Sequence, residues 1–147
     1  MLFRSNRSGE AEVLSSLGDL RLRQGRYEQA ASCHRQAMTL YQVAGDRANE
    51  AAALNGLGEV LLATGQPGPA QAQLIAALGL LRHVGDRHAQ ARTHKNLGQA
   101  CLAAGHQAQA RRHWQQALGL YASLGAPEAE QVRASLRDLD AGRVTGR

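Results

Sequence analysis

Aromatic residues are scarce in this chain of 147 residues: one Phe, one Trp and three Tyr make up 3% of it. Val supplies six residues and Ile one, against 27 Ala and 21 Leu. With strand formers so few and helix formers so abundant, an all-β fold is excluded. Two cysteines, Cys33 and Cys101, with no Cys-x-x-Cys spacing, exclude a disulfide framework or a zinc site of their own and are expected as core thiols. The longest apolar run, residues 74–81 with Gly79 inside it, falls far short of the roughly 18 residues a membrane-spanning helix needs. The N-terminal stretch Met1-Leu2-Phe3-Arg4-Ser5-Asn6-Arg7 leads into no apolar signal core, so a cytoplasmic chain without membrane contact is expected.

Lysine is also nearly absent, Lys95 being the single example among 17 cations, which against 12 acids leave a net charge of +5. The arginines are scattered instead of gathered in a block, which reads as a solvated surface. Single-strand binding also needs stacking platforms, and Phe3, Tyr27, Tyr41, Trp114 and Tyr121 are too few and too dispersed to supply them. Nucleic acid is therefore disfavoured as a partner despite a pI near 10.0.

What the sequence does have is a core fraction of 44% hydrophobic residues and a repeat. Laid over itself at a lag of 40, it has nine columns identical in three copies: Ala11/Ala51/Ala91, Leu17/Leu57/Leu97, Gly18/Gly58/Gly98, Leu22/Leu62/Leu102, Gly25/Gly65/Gly105, Ala30/Ala70/Ala110, Ala37/Ala77/Ala117, Leu40/Leu80/Leu120 and Gly45/Gly85/Gly125. Composition alone predicts about half a triple identity in that many columns, so the array is real. Caps and periodicity divide each unit into a helix A (8–24, 48–64, 88–104), ending at a glycine suited to a left-handed cap, and a helix B (27–44, 67–84, 107–124), stopping at the second glycine of the unit. Pro67 and Pro69 fall at the start of a B helix, where a missing N–H costs little. The glycines inside the A helices, Gly18, Gly58 and Gly98, are expected to face Ala30, Ala70 and Ala110 and bring two backbones close.

These residues resemble the tetratricopeptide repeat: Leu17-Gly18, Ala30, His34 and Ala37, then Leu57-Gly58, Ala70, Leu74 and Ala77, then Leu97-Gly98, Ala110, Trp114 and Ala117. The match covers about 8–125, with a period six longer than the usual 34. It is similar to the longer-repeat branch found in arrays of bacterial regulatory proteins, whose Ala-, Arg- and Gly-rich wording the Gly-Asp-Arg junctions share. The resemblance implies an all-α, right-handed α-solenoid. Its units span about 8–47, 48–87 and 88–126, behind an N-terminal extension over 1–7 and before a capping helix over 127–141 and a flexible tail over 142–147. Two positions depart from the pattern: Arg21 stands where Leu61 and Cys101 stand in the other units, and His94 replaces Leu14 and Leu54.

No catalytic pattern emerges. The six histidines form no i, i+4 pair, no phosphate-binding Gly-x-x-x-x-Gly-Lys loop occurs, and no strand holds a nucleophile elbow, so no enzyme activity, no metal and no cofactor are expected. His34 and His94 read as packing residues. The family resemblance implies a non-catalytic protein-interaction module that takes a protein or peptide on a concave face made by the A helices. It places Ser15, Asp19, Leu22, Asn55, Glu59, Leu62, Arg92, Lys95, Asn96, Gln99 and Leu102 there. Asp19 and Glu59 make one end acidic, Arg92 and Lys95 the other basic, and a partner with the reverse polarity complements them. Asn96 matches a place where family members hold a peptide amide, but Ser16 and Gly56 stand there in the other units, and the lysine–asparagine clamp for a C-terminal carboxylate is not reproduced. The alternative is a homo-oligomer assembled through the uncapped first unit.

Overall fold

The computed structural model describes residues 2–143. Among these, seven helices follow one another without strands: α1 (Leu2–Arg23), α2 (Tyr27–Ala44), α3 (Arg47–Ala63), α4 (Pro67–Leu81), α5 (Arg87–Ala103), α6 (Gln107–Ser123) and α7 (Glu128–Asp140). The B helices α2, α4 and α6 start 40 residues apart, as the repeat lag demands. Each A helix pairs with its own B helix, and each B helix packs on the next A helix.

Local signals set these boundaries. Gly25 and Gly65 take φ of 74°, and each closes its helix with the paired bonds of a left-handed cap. In the first of them the Arg26 N–H donates to the Arg21 carbonyl and the Gly25 N–H to the Leu22 carbonyl. At the junctions the Asp46 and Asp86 side chains accept from the Asn49 and Ala89 N–H groups, and these N-caps start α3 and α5. Two helix ends differ from the sequence reading. α1 begins at Leu2, six residues earlier than its periodicity suggested, and α4 ends at Leu81 instead of 84. Past Leu81 the Val84 N–H bonds back to the Leu81 carbonyl, a tighter turn that releases the chain toward Gly85. Met1 of the expected extension and residues 144–147 of the expected tail lie outside the described residues.

Columns of small residues let the helices approach, and columns of large ones fill the space left over. Ala30, Ala70, Ala110, Ala37, Ala77 and Ala117 are wholly buried, as are His34, Leu74 and Trp114 in one large column and Tyr41, Leu81 and Tyr121 in another. The A-helix glycines do not face the alanines as expected. A methyl group built on Gly18 would meet the His34 ring 2.7 Å away, one on Gly58 would meet Leu74 at 2.8 Å, and one on Gly98 would enter the Trp114 indole. The glycine thus makes room for the one large residue of helix B that spans the pair. Arg21 does not sit in a core place either: it is half-exposed, and its guanidinium donates to Gln24. The last helix, α7, buries Ala129, Val132 and Leu139 against α6 and the end of α5 and turns its charges outward.

Candidate functional site

Helices α1, α3 and α5 lie in succession, α1 against α3 and α3 against α5. Two hollows run across them. The larger, about 520 Å³, is walled by Glu59, Leu62 and Ala63 of α3, Gln99, Leu102 and Ala103 of α5, Trp114, and Ser135 and Asp138 of α7. The smaller, about 260 Å³, is formed by Asp19, Leu22 and Arg23 of α1 with Glu59 and Arg92. Glu59 borders both, so the two make one groove along the A helices, closed at its far end by the capping helix.

The sequence reading placed eleven residues on this face. Asp19, Leu22, Glu59, Leu62, Arg92, Gln99 and Leu102 line the groove. Ser15 and Lys95 are half-buried and border neither hollow. Asn55 and Asn96 are withdrawn from it: both are 1% exposed. Their amides have partners inside the protein. Asn55 donates to the Thr93 hydroxyl at 2.8 Å, and Asn96 donates to the Asn55 side-chain oxygen at 3.1 Å and to Glu59 at 3.2 Å. A peptide-amide role for Asn96 is therefore corrected to a structural one, because a buried amide already satisfied by its neighbours has no donor to offer.

The charge layout is corrected as well. Arg92 reaches across to Glu59 with Nε and Nη2, the shortest contact being 2.8 Å, a bidentate pair that joins the supposed basic and acidic ends. Burial works against the Glu59 carboxylate. The Arg92 charge and hydrogen bonds, with that of Asn96, more than offset it and hold its pKa below the ordinary value. The same pair raises Arg92, again against burial. Glu59 thus anchors a chain of polar contacts from Thr93 through Asn55 and Asn96 to Arg92, linking units two and three beneath the groove floor. Glu59→Gln keeps the shape but leaves Arg92 without its counter-charge. Its expected cost is about 1 kcal/mol, since the pair is partly exposed. Urea melts at neutral pH check this, and an unchanged midpoint would mean that solvent already screens the pair.

His34 lies under the smaller hollow. Its ring is pressed between α1 and α3, which offer Gly18 and Gly56 on its two sides. It is 2% exposed, and neither ring nitrogen has a hydrogen-bond partner. The Asp19 carboxylate stands 3.6 Å from Nε2, beyond hydrogen-bond range. Burial lowers the His34 pKa, with Asp19 opposing, so the ring is held neutral.

Two histidine contacts escaped the sequence reading because their partners are far apart along the chain. His94 Nδ1 lies 3.1 Å from His113 Nδ1 across α5 and α6, above a separate hollow that Leu78, Arg82, Gln90 and Gln116 complete. His88 Nε2 meets Glu128 at 2.6 Å, tying the third unit to the cap. Among the described residues, no three His, Cys, Asp or Glu side chains gather as metal ligands would. The groove residues that sequence reasoning missed were Arg23, Ala63, Ala103, Trp114, Ser135 and Asp138. Ala63 and Ala103 carried a signal, each following a groove leucine at the same lag. Ser135 and Asp138 sit on α7, outside the repeat columns.

The family model described as tetratricopeptide repeat matches residues 9–83. No curated protein matches the chain. Among solved structures, the fold is similar to that of the first tetratricopeptide domain of Spaghetti (RPAP3), determined bound to the HSP90 peptide SRMEEVD. The TM-score is 0.71 and the identity 19%, over 92% of this chain and 94% of that one.

Proposed function

The chain belongs to the tetratricopeptide repeat family, and from that premise we propose that it is a non-catalytic protein-interaction module which docks a peptide or partner helix in the groove along its A helices. The observation that carries this reading is the groove itself. The walls of its larger hollow come from α3, α5, α6 and α7, its floor is apolar at Leu62, Leu102 and Ala103, and its rim offers Gln99, Ser135 and Asp138. That combination suits an extended segment with apolar anchors and hydrogen-bonding groups between them. Asp138 is already bonded to Arg143 and Glu59 to Arg92, so the net field in the larger hollow is weak. Shape and apolar contact therefore select the ligand more than charge does. The solved relative named above was determined with a peptide, which supports a peptide-sized ligand here.

The module is read as residues 8–141, part of or partner to a bacterial transcriptional or signalling regulator, a placement supported by the wording of the repeat junctions. It includes no membrane step: among the described residues no helix is long and apolar enough to cross a bilayer.

The test is selection of binding peptides from a displayed random library, followed by affinity measurements on variants. Gln99→Arg with Ser135→Arg fills the groove from two residues outside the core and is expected to weaken the selected peptides about tenfold or more at unchanged thermal stability. Ile75→Asp, on the exposed surface of α4, is expected to leave them untouched. Peptides that bind equally well to the filled groove would overturn the proposal.

A further inference from the structure

The face of α1 that points away from α2 has the register of a buried face. In α3 the positions Ala53, Leu57 and Val60 are buried against α2, clustering with Ala30, Ala31, Ala37 and Tyr41. In α5 the matching Leu97 and Ala100 are buried against Ala70 and Leu74 of α4. At the same columns α1 carries Val13, Leu17 and Leu20, of which Leu17 is half-buried while Val13 and Leu20 stand exposed. Val13 is 66% exposed and Leu20 46%. Gly9, on the same stripe, has nothing within 4 Å of where its side chain would be.

The charges around this stripe are arranged with a symmetry of their own. Glu10 and Glu12 flank its N-terminal end, Arg21 and Arg23 its C-terminal end. Glu10 and Arg21 are eleven residues apart, as are Glu12 and Arg23. At 3.6 residues per turn each pair shares one flank of the helix to within about 20°. None of the four forms an ion pair among the described residues; Arg21 meets only the neutral Gln24.

A second copy of α1 laid antiparallel across this face, with a two-fold axis between Ser16 and Leu17, sets Val13 against Leu20 of the other chain. The same axis sets Glu10 beside Arg21 and Glu12 beside Arg23 on their respective flanks, each within about one turn. Like charges are never opposed. We infer that this face is a homodimer interface, formed by α1 of two copies packed antiparallel about that axis. A two-fold across this face keeps each flank on its own side. The two hollows bordered by Arg23 therefore open on the same side of the dimer, and the inference stands whether or not the groove takes a peptide.

One helix face on another buries area near the lower limit for a specific interface, which sets the expected dissociation constant in the micromolar range. Sedimentation velocity on the full chain, from about 1 to 200 µM, is expected to show monomer passing to dimer, with the transition moving to higher concentration in salt. Val13→Asp with Leu20→Asp, both exposed, is expected to leave a folded monomer throughout. The decisive arm uses charge reversal. The chain with Glu10→Arg and Glu12→Arg, and the chain with Arg21→Glu and Arg23→Glu, are each expected to be monomeric alone and to form a dimer when mixed. A wild-type chain that stays monomeric at 200 µM would overturn the inference. So would a dimer that survives the Val13 and Leu20 changes, or reversed chains that ignore one another.

Discussion

Gly98→Ala is expected to destabilise the fold by about 2–3 kcal/mol, although alanine is the better helix former by about 1 kcal/mol. The new methyl group would overlap Nε1 and Cδ1 of Trp114, an indole 3% exposed and closely surrounded. The ring also cannot move without breaking the bond its Nε1 donates to the Lys95 carbonyl at 3.1 Å. Overpacking and the lost hydrogen bond act in the same direction and outweigh the gain in propensity. The identical change at Gly119, in α6, meets nothing within 4 Å and is expected to stabilise by about 0.5–1 kcal/mol. Urea melts followed by helical circular dichroism and by the fluorescence of the single tryptophan read both variants. Equal shifts of the same sign would mean that glycine is kept at Gly98 for a reason other than the indole.

That pair of glycines also marks how far a sequence carries an argument of this kind. The repeat lag located the first six helices because its columns report local requirements: a left-handed cap at Gly25 and Gly65, an N-cap at Asp46 and Asp86, a small residue at Ala30 and Ala70. The columns also implied that glycine at 18, 58 and 98 relieves a close approach, yet they did not identify the neighbour. Ala30 and His34 lie on the same side of α2, and only packing decides which of them rests over Gly18. The groove was legible to the same depth. The family resemblance puts its leucines Leu22, Leu62 and Leu102 on that face, whereas it does not give the burial of Asn55 and Asn96. Those two amides turn inward because Thr93 occurs at a column that holds Val13 and Ala53 in the other units, and Thr93 provides the acceptor that begins the network. Likewise Arg92 and Glu59 belong to different columns of neighbouring units, and their pairing depends on the stacking distance between α3 and α5. Period and phase specify faces; contacts between faces depend on the one unit that departs from the pattern.

His94 is such a departure, and it gives the protein a predicted sensitivity to acid. Leu14 and Leu54 occupy its column in the other units, so the imidazole stands where those units hold leucine, 8% exposed and against His113. Burial, and secondly the neighbouring His113, push its pKa down from 6.5 to about 4. His113 is lowered too, by burial and then by Arg112, and His34 moves in the same direction through burial. The folded state thus favours the neutral rings. Above about pH 6.5 neither the folded nor the unfolded chain protonates His94, and its contribution to stability is constant. As pH falls below that value the unfolded chain takes up the proton first, so stability declines until the folded ring also titrates near pH 4. The difference of about 2.5 units corresponds to a loss of about 3 kcal/mol from His94. Glu59 also loses stability in acid, but only once pH falls to the ordinary carboxylate value, where the unfolded chain begins to protonate it, so the upper part of the decline belongs to the histidines and the two effects overlap only at its acid end. Urea melts at intervals from pH 7.5 to pH 4.5 are expected to give midpoints that fall steadily in the wild type. In His94→Leu, which restores the residue of the other two units, the decline is expected to be much shallower and the chain more stable than wild type at pH 5. A His94→Leu chain with the wild-type slope would place the sensitivity in His113 or in His34, whose ring lies between Gly18 and Gly56 with no hydrogen-bond partner at either nitrogen and with the Asp19 carboxylate 3.6 Å from Nε2.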